Sequence, residues 1–261
     1  MIDTTPTLQL EELDVRISQD LSLSNISFQI HAGEVAAIIG PNGAGKTSLL
    51  RAICNELDRQ SGALKFNGRD MAAWKLSERA KLLAILPQRS VLDFPFSVSE
   101  VVSLGRIPHS SSQQQNAIIV EQALELVDCL QFTDRLFLSL SGGEKQRVQL
   151  ARVAAQIWER QSLHRCLILD EPSASLDLAH QEMIAKMIRF FAEQGVAIVT
   201  VLHDLNLASQ CADKLLVLKD GSAIAQGRPV EVLSENLISE AFNVHAQLTT
   251  ASKDGAPRII T

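Results

Sequence analysis

A chain of 261 residues, 46% hydrophobic and 21% charged, holds enough apolar material for one large α/β domain or one domain carrying an insert. Its formal net charge of −6 excludes a nucleic-acid binder that works by general electrostatics, and no lysine/arginine run offers a local substitute. No apolar run approaches the ~18 residues of a membrane-crossing helix.

Residues from Leu8 to about Ile39 read as short strands, "LQLEELDVRI", "LSNISFQI" and "EVAAIIG". The last is continuously apolar, as a central strand buried on both faces must be. After Gly40 the pattern turns helical through "KTSLLRAICNEL", then gives a glycine-punctuated hairpin, "GALKFNGRD", and the amphipathic "WKLSERAKLLAIL" up to Pro87. From about Arg89 to Arg160 the character changes. A proline-interrupted loop, "SVLDFPFSVSEVVSLGRIPH", leads to "SSSQQQN", which reads as a solvated polar link. "AIIVEQALELVDCL" then repeats Val120, Ala123, Leu124 and Val127 at helical spacing, so this region reads as a mostly helical insert.

The α/β pattern resumes with the buried strand "CLILDEP", the helix "AHQEMIAKMIRFFAEQG" ending at a glycine, and a second buried strand, "VAIVTVLHD". "KLLVLKDGSAIAQG" is a hairpin turning at Asp220-Gly221, and "PVEVLSENLISEAF" reads as a closing helix with proline near its start. The N-terminal "MIDTTPTLQLEELD" has no apolar core, so no secretory signal is expected there. The four cysteines, Cys54, Cys129, Cys166 and Cys211, form no CxxC pair and read as isolated thiols of a reducing cytoplasm.

Gly40-Pro41-Asn42-Gly43-Ala44-Gly45-Lys46-Thr47 fits GxxxxGK[ST] between a strand and a helix. Several N–H donors must converge on a polyphosphate, and glycines let the backbone wrap that closely. Lys46 is placed to reach the β- and γ-phosphates and Thr47 to offer its hydroxyl to Mg2+, with Ser48 following. "CLILDE" delivers Asp170 to the carboxyl edge of the sheet, where it can hold Mg2+ directly or through water. Glu171 beside it can serve as general base on the attacking water. A second anion-binding helix start appears in Ser141-Gly142-Gly143, the head of "SGGEKQRVQLARVAAQIW". One chain thus offers two anion-binding helix starts, of which the second lies outside the GxxxxGK[ST] pattern.

The phosphate loop, "LSGGEKQR", "LILDEP" and a lone histidine after a strand, in that order, resemble an ATP-binding cassette (ABC) ATPase from Leu8 to about Val244. The resemblance implies an α/β P-loop NTPase cassette as a single domain. About 1–88 and 161–261 would form a RecA-like core with an N-terminal antiparallel β subdomain, and about 89–160 a helical signature subdomain inserted in that core. It implies ATP and Mg2+ as ligands, and a head-to-tail homodimer in which Ser141, Gly142 and Gly143 cap the partner's γ-phosphate. Gln88 matches the glutamine that senses Mg2+ and the attacking water, Asp177 the aspartate that turns toward the opposite site, and His203 the switch histidine on the γ-phosphate.

One departure stands out: the family stacks adenine on an aromatic ahead of the phosphate loop, where this chain reads Val15-Arg16-Ile17-Ser18 and has no tyrosine anywhere. Ile17 offers an apolar face and Arg16 a planar cation in its place. A separate ATPase chain is typical of bacterial importers, in which two cassettes sit beneath two permease subunits and act indirectly with a periplasmic binding protein. The resemblance therefore puts the chain on the cytoplasmic face of the inner membrane, touching the membrane only through the permease. Phe94 and Phe96 around Pro95 lie where importers receive the permease, or else serve as a core loop of the insert.

More narrowly, "AAWKLSERAKLLAILPQRSVLDFPFSVSEVVSLGRIPH", "ARVAAQIW" and "VLHDLNLASQCAD" resemble hemin import ATPases within the iron-chelate and vitamin B12 importer group. Ferric siderophore and cobalamin are the other cargoes of that group. Non-transport cassettes, with long coiled coils or two cassettes in one chain, fit less well.

Overall fold

The computed structural model describes residues 5–17, 21–88, 92–173, 177–250 and 257–260. The chain opens with β1 (Leu8–Arg16), β2 (Ser22–Ile30), β3 (Val35–Ile39), α1 (Lys46–Ile53), β4 (Arg59–Phe66) and the short β5 (Arg69–Asp70). A single helical turn, α2 (Leu76–Arg79), leads into β6 (Leu83–Leu86). Next come α3 (Val98–Ser103), α4 (Gln113–Leu126) and α5 (Gly142–Ile157), linked by short 3-10 turns. The remainder is β7 (Cys166–Asp170), α6 (Leu178–Glu193), β8 (Ala197–Val201), α7 (Leu205–Cys211), β9 (Lys214–Lys219), β10 (Ser222–Gly227), α8 (Pro229–Val232) and α9 (Glu235–Phe242). A hairpin of β11 (Gln247–Thr250) and β12 (Pro257–Ile260) follows.

One ten-stranded sheet runs in the order β5-β4-β1-β2-β10-β9-β3-β8-β7-β6. Its β6, β7, β8, β3 and β9 are parallel, while β5, β4, β1 and β2 form an antiparallel wing. The wing meets the rest through a single parallel pairing, Ser222 with Ser24. Because strand side chains alternate, each central strand feeds two cores. Val35, Ala37 and Ile39 of β3, with Leu167, Leu169 and Ile198, pack under the helices α3 to α7. Ala36 and Ile38, with Cys166, Ile168, Val199 and Val201, face α1 and the antiparallel wing. The continuous apolar runs of β3, β7 and β8 are therefore buried throughout, as both-face coverage requires.

Some segments differ from the sequence-level expectation. "WKLSERAKLLAIL" divides into one helical turn and an edge strand, β6, whose Leu83 to Leu86 pair with Cys166 to Leu169. The polar "QQQN" is no loop but the first turn of α4, because Ser112 accepts from the Gln115 N–H and Asn116 is held by Arg106. "PVEVLSENLISEAF" is two helices, since Ser234 caps a fresh one at Glu235. The β11–β12 hairpin carries no alternation strong enough to have been read.

Candidate active site

Parallel strands aim their carboxyl ends at one edge of the sheet, and a ligand crevice opens there where the strand order reverses. β3 lies between β8 and β9, so the loop after β3 sits at that reversal. The loop is tightly specified. A Cβ on Gly40 would come within 2.1 Å of the Leu218 carbonyl oxygen, and Gly45, the residue capping α1, has φ +97. Gly40→Ala is expected to destabilise the fold by at least about 2 kcal/mol, read as a lowered urea midpoint, because backbone rather than a flexible side chain stands in the way.

Lys46 begins α1, is 6% exposed, and donates to the carbonyls of Gly40 at 2.8 Å and Pro41 at 2.9 Å. Burial pulls its pKa down, and the nearby Glu171 and Asp170 charges oppose that. Among the described residues its cation is met by two carbonyls and no direct carboxylate partner, a setting that suits an incoming anion. Asn42 and Gly43 stand exposed at the crest, and a Cβ on Gly43 would meet nothing within 4 Å, so the cradle is open on its ligand side. Ser48, half-buried, is the third residue of α1.

Thr47 donates its hydroxyl to Asp170 Oδ1 at 3.3 Å. Asp170 is 5% exposed at the end of β7; burial pushes its carboxyl up, and the Thr47 bond and the Lys46 charge pull it back only in part. A divalent cation against these two oxygens would relieve that cost. Among the described residues no cluster of three or more His, Cys, Asp or Glu side chains is able to hold a metal unaided. Thr47 and Asp170 thus fit Mg2+ held mostly by phosphate and water, the usual manner for this ion.

Glu171 follows with φ 50, a left-handed backbone that is uncommon for a non-glycine residue. The turn swings its side chain across the edge, where Gln88 donates Nε2–H to Oε2 at 2.9 Å and His203 Nε2 meets Oε1 at 2.5 Å. Burial would raise this carboxyl, but the hydrogen bonds from His203 and Gln88 outweigh it and hold Glu171 below the ordinary glutamate value. Gln88 stands two residues past β6 and His203 two past β8, so three neighbouring strand ends supply the row Gln88–Glu171–His203.

Ser141, Gly142 and Gly143 lie at the start of α5. Ser141 accepts from the Glu144 N–H at 3.4 Å while Glu144 accepts from the Ser141 N–H at 2.7 Å, a reciprocal cap that the S-x-x-E spacing already encodes. Ser141 and Gly142 are exposed, and a Cβ on Gly142 would meet nothing within 4 Å. The fold of this chain therefore does not require glycine at that position. Asp177 is exposed and caps α6. Arg16 is exposed and Ile17 half-buried against the core, while Ser18 and residues 89–91 of the loop after Gln88 lie outside the described residues. Phe96 packs against the core, whereas Phe94, its ring 6.0 Å away, is 64% exposed. All four cysteines are free and buried, and burial pushes the Cys54 thiol up to about 12.

The ABC transporter family model matches residues 23–174, a span holding the phosphate loop, Gln88, the α5 start and Glu171. The chain belongs to the ABC transporter family. This cassette is 43% identical over 254 residues to the hemin import ATP-binding protein HmuV of Pseudomonas entomophila (strain L48), covering 97% of this chain and 99% of that one. It is also 43% identical over 256 residues to the protein of the same name from Gloeobacter violaceus (strain ATCC 29082 / PCC 7421), covering 97% and 93%. Among solved structures, it superposes on a chain of an inward-facing metal-chelate type ABC transporter with a TM-score of 0.80 at 22% identity, over 98% of this chain and 97% of that one. CbiO1 from Clostridium perfringens, part of the transporter complex cbiONQ, gives a TM-score of 0.75 at 28% identity over 92% and 95%. The cassette is a P-loop NTPase fold with the activity of a transport ATPase. No helix among the described residues is long and apolar enough to cross a membrane.

Proposed function

We propose that this cassette is the ATP-hydrolysing subunit of a bacterial hemin importer and works as a head-to-tail pair on the cytoplasmic face of the inner membrane. The observation that carries the chemistry is the row Gln88–Glu171–His203 lying beside the buried Thr47–Asp170 pair at one sheet edge. Residues 40–48 cradle the triphosphate, with Lys46 turning its ammonium from backbone carbonyls to phosphate oxygens. Thr47 and Asp170, with Gln88, would hold Mg2+, which would supply charge neutralisation to the phosphates. Glu171 accepts the proton of the attacking water while an O–P bond forms and the β–γ bridging P–O bond breaks. Each Glu171 oxygen accepts one hydrogen bond and keeps a lone pair for the attacking water, and the exposed His203 can turn to the γ-phosphate.

Gly142 supports the pairing. An exposed glycine with free space around its missing Cβ serves something that approaches from outside the chain. A helix start outside a GxxxxGK[ST] loop, its Lys145 lying over the Phe137 ring, is a weak anion site alone, on the order of 0.3–1 kcal/mol, and gains purpose by closing a site already filled with phosphate. Ser141, Gly142, Gly143 and Asp177 accordingly serve the nucleotide of a second copy. Exposed Phe94 offers an apolar contact to one of two permease subunits, which a periplasmic binding protein feeds from the other side. Near-full-length identity to hemin import subunits supports hemin as the cargo.

The test is transport. Reconstituted in vesicles with its permease and binding protein, the complex is expected to accumulate hemin on addition of ATP. Uptake of a ferric siderophore or cobalamin with no uptake of hemin would reassign the cargo, and ATP-independent uptake would remove the ATPase from the cycle.

A further inference from the structure

Arg147, in the second turn of α5, is 7% exposed, and its Nε has no hydrogen-bond partner among the described residues. A guanidinium buried that deeply is usually paired with a carboxylate, because an unpaired buried charge is costly. Here its Nη1 points at Nε2 of His180, on the first turn of α6, it also bonds the buried Cys129 thiol, and the Glu144 carboxylate acts on it only through space. The bonded carboxylate stands one ring further on. His180 Nδ1 lies 2.7 Å from Asp177 Oδ1, which also accepts the His180 backbone N–H at 3.0 Å.

These contacts fix the proton. Arginine carries donors and no acceptor, so the Nε2 that faces it must offer a lone pair. A neutral imidazole has one N–H, which must then sit on Nδ1 and be donated to Asp177. The ring links a buried cation on α5 to an exposed anion at the head of α6, with the cation polarising the bond that holds the anion.

We propose that His180, held as the neutral Nδ1–H tautomer by Arg147, is the positioning residue that ties the helix beginning at Ser141 to Asp177. This rests on the head-to-tail reading, in which Ser141 and Asp177 of one copy both serve the opposite nucleotide. A displacement of α5 on capping that nucleotide would move Arg147, and through the ring it would move Asp177. One subunit's grip on its partner's phosphate is thereby passed to a second residue of the same subunit that faces that nucleotide. Arg147 and His180 are 33 residues apart in sequence and come from the two sides of β7, so no local constraint forces their contact.

The tautomer is read directly. Nitrogen-15 NMR of the full chain, with the His180 ring assigned by its loss in His180→Gln, is expected to show the proton on Nδ1. Arg147→Met should leave the Nδ1 proton donated to Asp177 but free Nε2, which then takes up a second proton that the wild-type ring refuses. A wild-type ring protonated on Nε2 would overturn the proposal, whatever the oligomeric state.

The functional arm uses His180→Phe, which keeps the ring volume, and His180→Asn, whose amide nitrogen can stand in for Nδ1. His180→Phe should lower kcat for ATP about tenfold, the scale of one lost hydrogen bond, with KM for ATP within about twofold of wild type. His180→Asn should recover part of that loss. Wild-type kcat in His180→Phe would overturn the relay, as would equal losses in Phe and Asn. A wild-type chain that shows no ATP-dependent association in the same assay would instead overturn the head-to-tail reading and leave the tautomer result standing.

Discussion

Glu171→Gln is expected to lower steady-state ATP hydrolysis by about 10²- to 10⁴-fold, the contribution of a positioned general base. ATP binding should persist and an ATP-bound dimer should accumulate, measured by light scattering with and without nucleotide. The substitution is close to isosteric, and the glutamine oxygen can still accept from Gln88 or His203, the two partners that now hold the carboxylate. Asp170 offers no rescue. It is buried, bonded to Thr47 and pushed toward its neutral form, whereas Glu171 is kept ionised by its neighbours. Dimer accumulation separates loss of the base from loss of binding, since a variant that could not bind would not associate. Unimpaired hydrolysis would remove Glu171 from the chemistry.

Much of this site is legible in the sequence because its pieces sit at strand ends. Residues 35–39, 166–169 and 197–199 are apolar at every position, and such runs in an α/β chain become inner parallel strands whose next residues line one edge. The phosphate loop, Asp170, Glu171 and His203 each follow one of these strands, so their convergence could be expected before any coordinate was known.

What escaped reading depends on contacts across the chain. β6 is a four-residue edge strand whose partner lies about eighty positions away, and its "LAIL" simply prolongs the amphipathic stretch before it. The first turn of α4 is polar and looks like a linker; Ser112 at its head and Asn116, bonded to Arg106 and Ser111, make it helical. Arg147 and His180 belong to stretches that each read as ordinary helix, and nothing in either announces that their side chains meet. The Ser141–Glu144 spacing also encodes the cap, beside the two glycines that suit anion binding. Ser141 does both jobs in sequence terms: it closes the helix start within its own chain and leaves that start exposed.

Mixing a Ser141→Arg chain with a Lys46→Ala chain is expected to restore activity that neither has alone. Lys46→Ala removes the cation at the cradle and leaves the α5 start untouched. Ser141→Arg fills the mouth of that start and leaves the cradle untouched, at a cost to the helix of about 1 kcal/mol for the lost cap. In a head-to-tail pair with two-fold symmetry, each homodimer holds two defective pockets. The mixed dimer holds one pocket with both defects and one with neither, built from the Lys46 of one chain and the Ser141 of its partner. At equal mixing with random pairing, about half the dimers are mixed and one pocket in each is whole, so independent pockets would return about a quarter of the wild-type rate. If both pockets must fire together, turnover stays low while ATP-driven association still returns in the mixture. A pocket completed within one chain predicts the opposite, because both defects would stay with their own subunits and mixing would restore neither turnover nor association. The exposed, unhindered Gly142 favours the first outcome, since nothing among the described residues comes near enough to need the space it leaves.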